Sequence, residues 1–120
     1  MPYDARMQTV VELPEFIRQA KHVGLSDEER EDIIDNLAAH PELGDEIAGT
    51  GGMRKLRVAA PGKGKSGGYR VITFFSGAEM PVFLVTVYAK SQKRNITEKE
   101  KHVMKTLSAL LIDAYRRKRP

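Results

Sequence analysis

Three runs of β-forming residues decide the fold of this chain. They read RKLRVA at 54–59, YRVITFF at 69–75 and VFLVTVY at 82–88. The second and third runs are rich in β-branched and aromatic residues, and the first alternates cationic with apolar residues at 55–58. Residues 76–81, between the last two runs, contain the glycine and proline of a tight connection. We therefore predict three consecutive strands, the last two joined as an antiparallel hairpin.

The residues ahead of these runs predict one more strand and two helices. Residues 8–12 read as a short strand, and Pro14 suits the first turn of a helix that Gly24 ends. Ser26 with Glu29 three residues later is a capping box, which predicts the start of a second helix. Four apolar residues share one face of that helix: Ile33, Ile34, Leu37 and Ala38.

A second capping box, Thr97 with Glu100, predicts a final helix after the strands. Its expected apolar face holds Val103, Leu107, Leu110, Leu111 and Ala114. The order β-α-α-β-β-β-α indicates an α+β domain, an antiparallel sheet with the helices packed on one face. We assign residues 1–120 to one domain, with residues 1–6 as a loose extension and residues 116–120 as a basic tail.

Charge is divided unequally along the chain. Residues 1–52 hold four Lys/Arg and twelve Asp/Glu, whereas residues 53–120 hold sixteen Lys/Arg and four Asp/Glu. This asymmetry indicates a polyanionic partner for the basic half, although neutralisation within the fold or by an acidic partner also explains it. The chain contains no Cys, which excludes thiolate chemistry and is consistent with a cytoplasmic protein. No apolar run is long enough to span a membrane.

The segment from Ile47 to Ala78 contains no acidic residue and holds eight of the ten glycines. Its six cations are Arg54, Lys55, Arg57, Lys63, Lys65 and Arg70. Glycine lets a backbone approach a ligand closely, and unopposed Lys and Arg attract phosphate. We interpret the segment as one that meets a polyanion, the alternative being a solvated basic surface.

Residues 59–66, AAPGKGKS, match a relaxed form of the phosphate-binding loop of nucleotide hydrolases. That loop requires a helix directly after its Lys-Ser pair. Here two glycines and a predicted strand follow, so nucleotide hydrolysis is rejected. We expect the connection to present Lys63 and Lys65 to phosphates.

Alternation along the strands predicts a basic cluster on one face of the sheet. Lys55 and Arg57 project from the same face of their strand, opposite the residues expected under the helices. The neighbouring strands add Arg70, Tyr88 and Lys90 to this face.

Such residue types could cleave RNA without a metal or a cofactor, because RNA supplies its own nucleophile, the ribose 2′-OH. The reaction needs a base for the 2′-OH proton, cations that stabilise the phosphorane and an acid for the leaving 5′-oxygen. A Lys crowded by cations can serve as base, and Arg stabilises charge. His22, His40 and His102 are expected to be structural or exposed. Residue types alone leave catalysis and plain nucleic-acid binding equally open.

Four motifs follow one another along the chain: PELGDEI at 41–47, GTGGMRKLRVA at 49–59, GKGKSGGYRVI at 62–72 and YAK at 88–90. Together with the Leu-rich last helix, they resemble the HigB-like branch of the RelE/ParE superfamily of toxins from bacterial toxin–antitoxin systems. The resemblance covers residues 7–112. It implies a compact antiparallel sheet with flanking helices that enters the ribosomal A site and cleaves the mRNA there.

The resemblance also implies site residues. The family's basic catalytic residues fall on Lys55, Arg57, Arg70 and Lys90. Ile96 stands where some members carry a base-stacking tyrosine, and Tyr88 or Tyr69 are the candidates to replace it. We add Tyr88 to the catalytic residues. The residues expected to contact RNA are Arg54, Lys63, Lys65, Tyr69, Lys93 and Arg94.

The partners that the resemblance implies are a cognate antitoxin, commonly a helix-turn-helix protein in this branch, and the ribosome with its mRNA. No cofactor, metal or membrane is expected. Two alternatives stay open: a ParE-like poison of DNA gyrase, and a toxin-derived module that binds RNA without cleaving it. ParE-like toxins lack the concentrated set of cations, which favours the ribonuclease.

Overall fold

The structure, a computed structural model, describes residues 7–59, 68–93 and 95–117, with side chains up to residue 115. Its elements are, in chain order, β1 (Val10–Glu12), α1 (Pro14–Val23), α2 (Asp27–Ala39), β2 (Asp45–Glu46), β3 (Met53–Val58), β4 (Tyr69–Phe74), β5 (Val82–Ala89) and α3 (Glu98–Arg117). The α+β class and the predicted order of elements are confirmed, with the two-residue β2 added. The expected extension at residues 1–6 and the tail beyond residue 117 lie outside the described residues, and the backbone of residues 116 and 117 continues α3.

The five strands form one sheet in the order β1-β5-β4-β3-β2. Strands β3, β4 and β5 are antiparallel neighbours, as predicted. The unpredicted β2 pairs with β3 in antiparallel orientation, whereas β1 pairs with β5 in parallel. The direction of β1 depends on which sheet edge the later strands leave free, so its own residues could not reveal it. Two unpredicted features thus flank the predicted three-stranded centre: a parallel edge at β1 and a short acidic edge at β2.

Helices α1 and α2 cover one face of the sheet. Phe16 and Ala20 of α1 and Ile33 and Leu37 of α2 are buried there. They pack against five buried strand residues: Tyr69, Val71, Val82, Leu84 and Val87. The capping box at Ser26 is formed in both directions and Gly24 ends α1 in the left-handed conformation, so both local predictions are confirmed.

Helix α3 lies on the other face, in contrast to the predicted layer on one face only. Its residues pack against Met53, Ile72, Phe74, Phe83 and Val85, which belong to a second core. The physical reason is that β4 is buried at all six positions, and a strand buried on both faces needs a layer on each side. The nearly continuous apolar run at 82–88 carried the same information.

The apolar face predicted for α3 is also shifted by one residue. Met104, Leu107, Leu111, Ile112 and Tyr115 face the sheet, whereas Val103 and Leu110 are each 60% exposed. Two adjacent apolar stripes satisfy the helical period, and tertiary contacts select between them. One such contact is the edge-to-face packing of Tyr115 on Phe83, whose ring centroids lie 5.3 Å apart.

The glycine-rich turn between β2 and β3 docks α3. The Ser108 hydroxyl donates to the carbonyl oxygen of Thr50 at 2.8 Å, and the buried Thr50 hydroxyl accepts from the Met53 N–H at 3.1 Å. A Cβ atom at Gly51, where φ is +78°, would lie 3.2 Å from the Cβ of Ser108. Gly51 therefore allows α3 to approach the turn closely, a structural role that the interpretation of this segment as a surface for a ligand did not include.

We predict that Gly44→Ala destabilises the fold more than Gly77→Ala does. Both glycines have positive φ, but a Cβ at Gly44 would lie 2.7 Å from the backbone oxygen of Lys55, whereas a Cβ at Gly77 meets nothing within 4 Å. Positive φ alone costs an L-residue roughly 1–2 kcal/mol, so both variants lose stability and Gly44→Ala loses more. Urea unfolding measures the difference, and equal losses would contradict the close approach of β2 to β3.

We further predict that Thr50→Val lowers the free energy of unfolding by about 1–3 kcal/mol, because it leaves the buried Met53 N–H without its acceptor. Thr106→Val is the matched control on the exposed side of α3 and should change stability by less than about 0.5 kcal/mol. Thermal or urea unfolding of the two variants checks this. Similar values for both would show that the Thr50 hydroxyl does not hold the turn.

Candidate nucleic-acid interface

Three of the predicted site residues form a row across the sheet on the α3 side. In the register of the strands, Arg57 of β3 lies opposite Arg70 of β4, and Arg70 lies opposite Tyr88 of β5. Residues directly opposite on neighbouring strands project from the same face with Cβ atoms about 5 Å apart. The structure thus brings together Arg57, Arg70 and Tyr88 as the alternation of the sequence predicts.

Arg70 is the most buried cation of this row. It is 9% exposed, and its Nη1 donates to the carbonyl oxygen of Tyr69 at 3.3 Å. Among the described residues, no carboxylate lies within 4.0 Å of the guanidinium. A buried guanidinium beside a second Arg is unfavourable for folding and calls for an anion.

Tyr88 has a buried hydroxyl without a hydrogen-bond partner among the described residues. Burial raises the pKa of the phenol, the nearby Arg70 guanidinium partly offsets that rise, and the Glu100 carboxylate adds to it. The phenol therefore stays protonated well beyond neutral pH. It is a potential proton donor whose acceptor is not supplied by the described protein residues.

Lys55 and Lys90 flank the row. Lys55 lies two residues before Arg57 on the same face, about 7 Å along the strand, and is half-buried. The unpredicted β2 places Asp45 opposite Lys55 in register, which adds a carboxylate to that side. Lys90 follows the end of β5, where its backbone N–H donates to the carbonyl oxygen of Gly68 at 3.1 Å.

A carboxylate that the sequence analysis assigned only to a helix cap also lies at this site. Glu100 forms an ion pair with Lys93, in which Nζ and Oε2 are 2.6 Å apart. Its carboxylate also accepts a 2.8 Å hydrogen bond from the backbone N–H of Thr97, and the Thr97 hydroxyl accepts from the Glu100 N–H, which confirms the second capping box. Burial would raise the pKa of the Glu100 carboxyl, but Lys93 and the cap at Thr97 outweigh it and hold that pKa below its usual value. The short interval between the cationic end of β5 and the Thr97 cap was the signal that could have located Glu100 here.

Two predicted RNA-contacting residues lie elsewhere. Tyr69 is 7% exposed in the core under α1 and α2, where burial and, to a smaller extent, Glu29 raise the pKa of its phenol. A ring in that core cannot stack on a base, so we withdraw this assignment. Arg54 also projects away from the row, and its Nη1 donates to the carbonyl oxygen of Gly44 at 3.2 Å. Strand alternation separates both side chains from Arg57 and Arg70.

Three further assignments, Lys63, Lys65 and Arg94, lie outside the described residues. The strand predicted after the phosphate-loop-like motif is present as β4, so the reason for rejecting nucleotide hydrolysis holds. The three histidines were expected to be structural or exposed. The structure shows exposed side chains for His22, His40 and His102.

One residue of the row, Arg57, lines a pocket of about 320 Å³ between α2 and β3. A cavity of about 520 Å³ lies between β1 and residues 78–81, and its lining includes none of the row residues. In the part of the chain that the structure describes, no group of three or more His, Asp or Glu side chains is placed to hold a metal ion. Within the same residues, no helix is both long enough and apolar enough to cross a membrane. The site is a basic surface across strands, a shape that suits an extended polymer.

A comparison with protein families agrees with this arrangement. Residues 9–118 match the model of the family described as the RelE toxin of the RelE/RelB toxin–antitoxin system. The match includes every strand and helix of the sheet core and all residues of the row. The chain therefore belongs to the RelE family of toxins of toxin–antitoxin systems.

Proposed function

We propose that this toxin is a metal-independent endoribonuclease of the HigB-like branch that cleaves mRNA in the ribosomal A site and thereby inhibits translation in the cytoplasm. The observation that carries the proposal is the row of Arg57, Arg70 and Tyr88 on one face of the sheet, with Arg70 buried and without a carboxylate partner among the described residues. Family membership supports it, because toxins of this family generally cleave mRNA.

In the proposed reaction the ribose 2′-oxygen attacks the adjacent phosphorus, and the bond from phosphorus to the 5′-oxygen breaks. The products are a 2′,3′-cyclic phosphate and a free 5′-hydroxyl. Arg57 and Arg70 stabilise the charge of the phosphorane, since a guanidinium remains charged throughout the reaction. Lys55 and Lys90 are the two candidates for the base that takes the 2′-OH proton, acting in the neutral form.

Tyr88 is the proposed proton donor to the leaving 5′-oxygen. Its pKa is raised, so the proton is present at neutral pH, and its hydroxyl has no competing acceptor among the described residues. Because that hydroxyl is shielded in the free protein, RNA binding must uncover it. The ribosome orients the 2′-OH in line with the scissile bond, which is why we expect weak activity on naked RNA.

The cognate antitoxin is the partner that family membership implies. We propose that it is a helix-turn-helix protein, as in the branch that the sequence resembles. It neutralises the toxin either by covering the basic row with an acidic segment or by preventing access to the ribosome through its bulk.

We predict that Arg70→Gln lowers mRNA cleavage by at least about 100-fold, the effect of removing one donor that stabilises transition-state charge. Primer-extension mapping of mRNA from cells that express the toxin measures this, with Arg18→Gln on exposed α1 as the control that keeps wild-type cuts. Because Arg70 is a buried charge without a carboxylate partner among the described residues, Arg70→Gln should fold normally, and a thermal melt verifies it. For the wild-type toxin, growth arrest without cuts would replace the proposal by gyrase poisoning, and the absence of both arrest and cuts would leave a binding module.

We predict that Tyr88→Phe separates stability from activity. Removing a buried hydroxyl without a partner should leave the free energy of unfolding unchanged or raise it by about 1 kcal/mol. Cleavage should fall by roughly 100-fold or more if the phenol is the general acid. Single-turnover cleavage on programmed ribosomes and thermal melts measure the two effects. Tyr69→Phe removes the same group from the opposite face and should cleave like wild type, and wild-type cleavage by Tyr88→Phe would exclude the phenol from the chemistry.

A further inference from the structure

The Lys93–Glu100 ion pair occupies the edge of the proposed RNA site. Lys93 lies five residues after Tyr88 in the chain, and Glu100 is close enough to influence the pKa of the Tyr88 phenol. The pair joins the segment that follows β5 to the first turn of α3. A phosphate bound along the row would therefore meet both an ammonium and a carboxylate at this edge.

The Glu100 carboxylate is held by the helix cap as well as by Lys93, whereas Glu100 is the one ion-pair partner of the Lys93 ammonium among the described residues. One carboxylate oxygen of Glu100, Oε1, accepts the Thr97 N–H at 2.8 Å, and the Thr97 hydroxyl accepts the Glu100 N–H at 3.1 Å. The other oxygen, Oε2, receives the Lys93 Nζ at 2.6 Å. The capping box thus presents one free carboxylate oxygen to Lys93, at the distance that a phosphate oxygen would take.

This pairing distinguishes Lys93 from the other cations of the site. Arg57, Arg70, Lys55 and Lys90 have no carboxylate within 4.0 Å among the described residues. Lys93 was expected to contact RNA, yet its charge is already neutralised inside the protein. Its contribution to RNA binding depends on whether Glu100 releases it.

We propose that Glu100 acts in the free toxin as an internal substitute for an RNA phosphate on Lys93, and that single-stranded RNA displaces it when it binds. This inference rests on the proposed function of the same site. The exchange is feasible because Lys93 is 32% and Glu100 is 39% exposed, so solvent and phosphate reach both groups. Exposed ion pairs are weak, and a phosphate can replace such a partner at small cost.

The exchange has a consequence for affinity and for salt dependence. A Lys that gives up an internal carboxylate gains little from a phosphate, whereas an unpaired Lys adds a full contact. For single-stranded nucleic acid each full contact steepens the plot of log affinity against log salt by about 0.7. Glu100 therefore limits the RNA affinity of the free protein and reserves tight binding for a complex that supplies further contacts.

The test uses Glu100→Gln, which removes the charge and keeps the cap, because Gln serves at this position of a capping box as well as Glu. Glu98→Gln is the matched control: it makes the same charge change two residues away, where the 92% exposed carboxylate pairs with Lys101. The ligand is a single-stranded oligonucleotide with 2′-O-methyl riboses, which lacks the nucleophile and cannot be cleaved. Fluorescence anisotropy over a range of salt concentrations gives the affinity and the slope.

We expect Glu100→Gln to bind about threefold more tightly than wild type, the scale of one exposed ion pair, and to show a slope steeper by about 0.7. Glu98→Gln should match wild type in the slope. The double variant Lys93→Gln/Glu100→Gln should lose the gain, because the gain acts through Lys93.

Three outcomes would overturn the inference. If Glu100→Gln and Glu98→Gln show the same RNA affinity and the same salt slope, while Arg70→Gln still weakens binding, the exchange is refuted and the proposed function stands. Weaker binding by Glu100→Gln would show that Glu100 positions Lys93 for RNA instead of competing for it. Absence of binding by every variant, together with absence of mRNA cuts in cells, would refute the RNA site itself.

Discussion

The central strand β4 has no exposed position, and the rest of the domain is arranged around this constraint. A strand buried on both faces requires a packed layer on each side of the sheet. Helices α1 and α2 form one layer and α3 forms the other. Arg70 belongs to this buried strand. The register of β4 with its two neighbours therefore sets the position of Arg70 between Arg57 and Tyr88.

The electrostatics of the row oppose folding. A buried guanidinium without a carboxylate partner is unfavourable, and a second Arg directly opposite adds repulsion. Neutral side chains at these positions would be easier to accommodate. Groups held in such environments are typical of functional sites. A phosphate between Arg57 and Arg70 would remove both penalties, which connects the strain of the free protein with the proposed binding of RNA.

The basic, glycine-rich segment has two roles that its composition does not separate. In the turn at residues 49–52, Gly51 and Thr50 make the contact with Ser108 of α3. The strand that follows supplies Lys55 and Arg57 to the row. One continuous motif thus carries the docking of a helix in its first part and cations in its second. The resemblance to the toxin superfamily rested on the whole motif, and the family match over residues 9–118 agrees with it.

The core under α1 and α2 and part of the site were predictable from the sequence. The two capping boxes depend only on residues three apart, and the alternation of β3 depends only on the geometry of one strand, so the helix starts and the shared face of Lys55 and Arg57 follow from local sequence.

Tertiary structure alone decided the remainder: the side of the sheet that α3 covers, the burial of Tyr69, the pairing of β2 with β3 and the meeting of Glu100 with Lys93. Each of these is a contact between segments whose own periodicity permits more than one partner. Packing of the whole chain around β4 selects among those partners. The apolar run at 82–88 and the short interval before Thr97 point toward two of these contacts, but neither pattern fixes the partner.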